Sequence, residues 1–284
     1  MVAMPVSHIK NSWFRPLAAV CLAAGLAWGA AAPVAAAEAP PNFWVYVHND
    51  KAADLRELLA QGADPNVRYK NGQPALMRAV VDGAWQVFDL LAADPRTDLE
   101  AVNPANETAL MYLAVAGQTD RARALIARGA QVNRLGWTPL HYAASKGHVD
   151  TARLLLQHKA MVNAPSPDGT TPLMMAALSG SREMVQVLLD AGGDVTTRNL
   201  KGQNAADWAR QGKAGKLADE LTELIAAAQA RREALRSGEN PSSAPAAPAA
   251  QPAQPAQAPR PAAQASDDDA PSLSGVSGVR LNKY

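Results

Sequence analysis

Leucine and small apolar residues recur along the middle of the chain in a fixed register. Gly72-Gln-Pro-Ala-Leu76, Asn106-Glu-Thr-Ala-Leu110, Gly136-Trp-Thr-Pro-Leu140, Gly169-Thr-Thr-Pro-Leu173 and Gly202-Gln-Asn-Ala-Ala206 follow one another at steps of 34, 30, 33 and 33 residues. A Gly usually follows seven residues after each Leu (Gly83, Gly117, Gly147, Gly180), and about eight further on comes an apolar pair such as Leu125-Ile126, Leu155-Leu156 or Leu188-Leu189. A period near 33 marks a stack of equivalent supersecondary units.

Each unit reads as two short helices. Thr138-Pro139 and Thr171-Pro172 suit a helix start, because the Thr hydroxyl caps free N–H groups and Pro lacks the N–H that would be unpaired there. Paired alanines such as Ala143-Ala144 admit a neighbouring helix closely, and Gly147 supplies the positive φ that ends the first helix. Val149, Ala152, Leu155 and Leu156 then form an apolar stripe at helical spacing. Helices this short are not stable alone, so stacking must bury a shared core.

The run Thr138-Pro-Leu-His-Tyr-Ala143, followed by Gly147-His148 and Val162-Asn163, resembles the motif of ankyrin repeats. The resemblance covers about 190 residues and implies an all-α repeat solenoid of helix-turn-helix units joined by β-hairpins or loops. Four central repeats start near Tyr69, Asn103, Arg134 and Ser166. Partial capping units flank them at Phe43–Asn66 and Asn199–Ala228, with Asp219, Glu220 and Glu223 facing outward. Two departures stand out. Three residues are missing between Val132 and Gly136 relative to Val162–Gly169, which predicts a stunted hairpin, and one is inserted near Asp94–Asp98. Both fall in connections, where length changes cost least.

The chain ends differ from this array. Residues 1–15 carry Lys10 and Arg15 and no acid, residues 16–37 are uncharged, and Ala35-Ala36-Ala37 precedes Glu38. That pattern predicts a Sec-type signal peptide over 1–37, cleaved after Ala37, and a periplasmic or secreted protein of bacterial type. The alternatives are a retained anchor, which Pro33 and the Ala/Gly content disfavour, and a lipoprotein signal at Cys21, which Val20 before it disfavours. With cleavage no stable membrane insertion is expected. Residues 241–265 contain eleven Ala and seven Pro, so 237–284 is expected to be a disordered Pro/Ala-rich tail. Its last part, Leu273–Tyr284, is the only part of the tail with regular apolar residues, and is either an unstructured terminus or a segment that adds to a partner's sheet edge.

Composition then narrows the function. The formal charge is +1, and removing residues 1–37 leaves 25 basic and 26 acidic side chains and no cysteine. That balance argues against a nucleic-acid partner. Arg121, Arg123, Arg128, Arg134 and Arg153 cluster over two repeats, either as an acidic-ligand site or as a solvated helix face. There is no nucleophile elbow, phosphate loop or paired metal-ligand motif, so no catalytic, cofactor or metal residues are assigned. His141 and His148 stand where ankyrin repeats carry histidine bonded between repeats. Asn106-Glu107-Thr108 matches a glycosylation sequon, but Asn106 also takes the place of a positive-φ Gly.

The resemblance implies protein recognition through hairpin tips and first helices, which form one concave surface. Carried onto this chain, the candidate binding residues are Lys70, Gln73, Tyr112, Trp137, Tyr142, Lys146, Met175 and Leu178. Trp137 either makes the central contact or folds over the missing hairpin. Arg78, Tyr112, Tyr142, Met175 and Trp208, each two positions after the repeat Leu or its equivalent, form a row that is either contact stripe or packing. The expected function is a non-catalytic protein-binding module of the cell envelope. Alternatives are an envelope tether acting through the tail, or a secreted, host-directed protein.

Overall fold

A computed structural model describes residues 38–237; the expected signal peptide, its cleavage point and the tail from residue 238 lie outside the described residues. Six helix pairs follow in order: α1 (Phe43–His48) with α2 (Ala52–Ala60), α3 (Ala75–Asp82) with α4 (Trp85–Ala93), and α5 (Ala109–Val115) with α6 (Thr119–Ala127). Then come α7 (Pro139–Lys146) with α8 (Val149–Gln157), α9 (Pro172–Ser179) with α10 (Arg182–Asp190), and α11 (Ala205–Gln211) with α12 (Gly215–Ser237). Odd-numbered helices pack on one another as an inner row, and the even-numbered ones lie outside them. The result is an all-α solenoid. Among the described residues there is no strand, and β pairing is confined to an isolated bridge between Arg68 and Pro74.

The repeat register explains the core. Leu76, Leu110, Leu140, Leu173 and Ala206 are all buried, and so is Phe43, which stands 33 residues before Leu76 in the same role. The first unit is therefore a complete helix pair, with Asp50 (φ 52) at the position that later units give to Gly. Buried Ala79, Ala114, Ala143, Ala144, Ala176 and Ala177 let the inner helices approach closely. Pro139 and Pro172 sit in the first turns of α7 and α9 as expected, and Thr171 caps its helix by accepting the Met174 N–H, whereas the Thr138 hydroxyl meets His141 Nδ1 at 2.9 Å. The last unit closes on a helix of 23 residues, which runs past the last repeat signal at Ala228 to Ser237, beside the expected end of the array at residue 236.

Gly117 is fixed twice over. Its φ is 67, and a Cβ there would lie 2.7 Å from His148 Nδ1. His148 occupies that space because its Nε2 reaches the carbonyl of Val115, at the end of the preceding repeat's inner helix, at 3.1 Å.

Asparagine amides tie the outer connections together. Asn66, Asn133 and Asn163 each donate from Nδ2 to a carbonyl of the next repeat (Arg96, Lys159 and Gly192) and accept an N–H two residues further on. Glu100 takes this position once, accepting the N–H of Gln131 at 2.8 Å. The inserted residue near Asp94–Asp98 is absorbed in a tight turn. There the Arg96 guanidinium grips Asp94, holding its carboxyl below the usual range, and reaches back to the carbonyls of Leu59 and Ala63.

Candidate protein-binding face

Fingers, the short loops that precede the inner helices, edge the inner row. Four of them close identically, the first residue's N–H donating to the carbonyl four residues on: Tyr69 to Gln73, Asn103 to Glu107, Ser166 to Thr170 and Asn199 to Gln203, at 2.8–3.1 Å. A second bond in each returns from the Gly position, filled in the second finger by Asn106 at φ 61. The third repeat makes neither bond. Its segment 133–137 is the stub expected from the three missing residues, and the N–H groups of Arg134, Leu135, Gly136 and Trp137 have no hydrogen-bond partner among the described residues.

The residue three before each repeat Leu meets the residue two after the next one. In the first step Gln73 Nε2 donates to Tyr112 Oη at 3.4 Å. In the second, Tyr142 Oη donates to Glu107 Oε1. The Glu107 carboxylate also accepts from Tyr112 Oη at 3.1 Å and Asn103 Nδ2 at 2.7 Å. Burial, reinforced by the neighbouring Glu107 charge, pushes both phenols up, Tyr142 well beyond the ordinary tyrosine range. The third step pairs Trp137 with Met175, and here polar contact gives way to an apolar notch of about 230 Å³ lined by Val115, Trp137, His141, Tyr142, Ser145 and Met175. At the fourth step, Thr170 Oγ1 and Trp208 Nε1 are both buried with no hydrogen-bond partner among the described residues.

Trp137 thus does something between the two expectations. Its ring turns edge-on to His141, with centroids 5.2 Å apart, yet it stays part-exposed and walls the notch instead of sealing the gap. His141 is fully buried beneath it. Nδ1 accepts the Thr138 N–H at 3.1 Å and Nε2–H donates to the Thr170 carbonyl at 3.0 Å. Burial outweighs those contacts and lowers its pKa from 6.5 to about 4. Both His141 and His148 are committed to backbone groups, and no set of three or more His, Cys, Asp or Glu among the described residues is placed to hold a metal.

Trp137, Tyr142 and Met175 converge on the notch. Lys146 ends α7 beside notch residue Ser145 and is exposed, Leu178 is half-buried near the end of α9, and Lys70 is exposed on the first finger. Gln73 and Tyr112 differ from expectation. Gln73 is 9% exposed and bonded inward, and the Tyr112 hydroxyl is spent on Gln73, Asn103 and Glu107, so both brace the face from within. The row that includes Tyr112, Tyr142, Met175 and Trp208 is half-buried packing, open at the notch. The arginine cluster is largely internal clamping. Arg121 pairs with Asp89 and stacks over Trp85, Arg153 pairs with Glu183, Arg128 bonds the Asp94 carbonyl and Arg134 the Asn106 amide.

Sequence reasoning missed an aromatic and charged cluster at the other end of the face. Arg78 lies 4.7 Å over the Tyr69 ring and pairs with Asp82, which also meets His48, while Trp44 packs edge-on against Tyr69 at 5.0 Å. The 33-residue register that places Phe43 opposite Leu76 was the available signal.

The chain matches the family described as ankyrin repeats (3 copies) over residues 43–135 and 132–199. It belongs to the ankyrin-repeat family. Among curated ankyrin-like relatives, a probable E3 ubiquitin-protein ligase of rice, XBOS32, is 32% identical over 154 residues, covering 53% of this chain and 30% of the relative. The rat ankyrin repeat and SAM domain-containing protein 6 is 34% identical over 160 residues, covering 56% of this chain and 15% of that protein. An Arabidopsis E3 ubiquitin-protein ligase, XBAT33, is 32% identical over 139 residues, which is 49% of this chain and 26% of the ligase. The chain spans less than a third of the length of each relative, and the ligase name is theirs. The ankyrin array indicates a protein-protein interaction module. Among the described residues no helix is long and apolar enough to cross a membrane.

Proposed function

We propose that this array is a non-catalytic module that takes an extended segment of a partner protein along its concave face, seating one apolar side chain between Trp137 and Met175. The notch carries the reading. Where the first two steps close the face with a polar pair, Gln73 with Tyr112 and Glu107 with Tyr142, this one presents a part-exposed Trp beside a cavity large enough for a leucine or phenylalanine side chain. Large aromatic side chains are enriched among residues that dominate interface energies. The stacked inner helices already hold the wall residues, so little ordering entropy opposes binding.

The sequence features of residues 1–37 support placing this activity in the cell envelope of a bacterium, after export and cleavage behind Ala37. The experiment is crosslinking in the producing cell followed by recovery of the chain. Exchanging Trp137 and Tyr142 for Ala should reduce recovered partner at least tenfold with helix content unchanged. Undiminished recovery counts against the site.

A further inference from the structure

We propose that, until a partner displaces it, the notch has an occupant within the chain itself: the tail segment Ser272–Ser277 docks at the stub and supplies the finger that the third repeat lacks. This rests on the reading of the concave face above. Three observations lead to it.

The stub is chemically incomplete. Four successive N–H groups, from Arg134 to Trp137, are unpaired among the described residues where each other finger closes on itself, and Leu135 in that stretch is 94% exposed. Backbone donors beside an apolar cavity are what an extended segment uses when it adds by main-chain hydrogen bonds and anchors with alternate side chains.

The tail carries a finger sequence. Ser272-Leu-Ser-Gly-Val-Ser277 repeats the layout of Ser166-Pro-Asp-Gly-Thr-Thr171 and Asn199-Leu-Lys-Gly-Gln-Asn204. All three have a small polar residue first, Gly fourth and a capping-type residue sixth. In the array fingers the first residue is buried and the Gly takes a φ of 77 or 75. Leu273 and Val276 add apolar side chains of a size the notch admits. Asp267–Asp269 shortly before them are opposite in charge to Lys146, exposed beside notch residue Ser145.

The tether is long enough. Inner helices pack about 8–10 Å apart, so the notch lies roughly 20 Å along the stack from α11. The whole of α12 spans about 35 Å at 1.5 Å per residue. The 35 residues between Ser237 and Leu273 reach about 110 Å when extended at 3.1 Å per residue. A covalent tether of this kind raises the local concentration of the segment to about the millimolar range, so a weak contact is occupied.

The test uses the full chain with a benzophenone amino acid in place of Leu273, irradiated over a range of protein concentrations and digested with trypsin. The expected product is a crosslinked monomer, formed in concentration-independent yield, joining the tail to the peptide Leu135–Lys146. Trp137→Ala and Gly275→Val should each cut that product at least fivefold, with circular dichroism confirming intact helices. Adducts spread over the array, adducts formed only between molecules, capture of another protein alone, or indifference to Gly275→Val overturn the proposal. Partner recovery that still depends on Trp137 while the tail adduct is missing sinks the tail docking alone. Partner recovery indifferent to Trp137 sinks the concave-face reading beneath it.

Discussion

Tyr142, on the inner helix of the third central repeat, donates its hydroxyl to the carboxylate of Glu107 on the finger of the second. That one contact joins two repeats across the place where the finger row is broken. Because the same carboxylate also accepts from Tyr112 and Asn103, removing it strands several half-buried polar groups. Glu107→Ala should cost about 1–3 kcal/mol, read as a lower urea midpoint at unchanged slope. In Glu107→Gln the phenols of Tyr112 and Tyr142 lose the neighbouring negative charge that helps to raise them. Absorbance titration at alkaline pH should show them ionising at lower pH than in the wild type. In the native protein these raised phenols contribute stability that is full below pH 10, the ordinary tyrosine value, and is lost as pH rises above it.

The buried His141 makes the opposite prediction on the acid side. Its folded pKa of about 4 lies below the unfolded value of 6.5, so between these values the unfolded chain binds a proton that the folded one does not. Stability is full above pH 6.5 and falls as pH drops towards 4, by on the order of 3 kcal/mol. Urea midpoints measured across that window should fall accordingly. His141→Gln should be less stable at pH 7 but lose this part of the pH slope.

Gly117→Ala combines a positive φ with a clash against the His148 ring. Gly129→Ala has a positive φ of 104 with nothing within 4 Å of the added Cβ. The first should destabilise by at least about 1 kcal/mol more than the second in paired denaturation experiments.

Much of the fold was legible because one register repeats. Leucine spacing, Thr-Pro starts and Gly stops locate α3 to α11, and the shortened Val132–Gly136 connection announces the missing finger. What the register did not reveal is where side chains turn. Gln73 and Tyr112 occupy positions that face a partner in the general pattern, but a glutamate at position 107 draws the tyrosine inward. Position 137 carries Trp at the same place in the unit, and with no carboxylate to bind the next residue, Met175, a notch opens. The identity of side chains one repeat apart decides that outcome, and periodicity carries no information about it. The unit at Phe43–Asn66 was read as partial for a related reason, since a Phe in place of Leu and an Asp in place of Gly mask its full register.

Met175→Asp places a charge in the notch wall while α9 keeps its buried Leu173, Met174, Ala176 and Ala177. It should abolish partner recovery and lower the unfolding free energy by no more than about 1 kcal/mol, as expected of a part-exposed position.

The central claim is that the partner is held on the concave face at the notch. The most direct measurement compares a photo-crosslinking residue at Met175 with one at exposed Arg123 on outer helix α6, each in the full chain in the producing cell. A partner adduct from position 175 that vanishes in the Trp137→Ala background, with none from position 123, is the predicted result. Equal adducts from both positions, or an adduct at 175 indifferent to Trp137, contradict it.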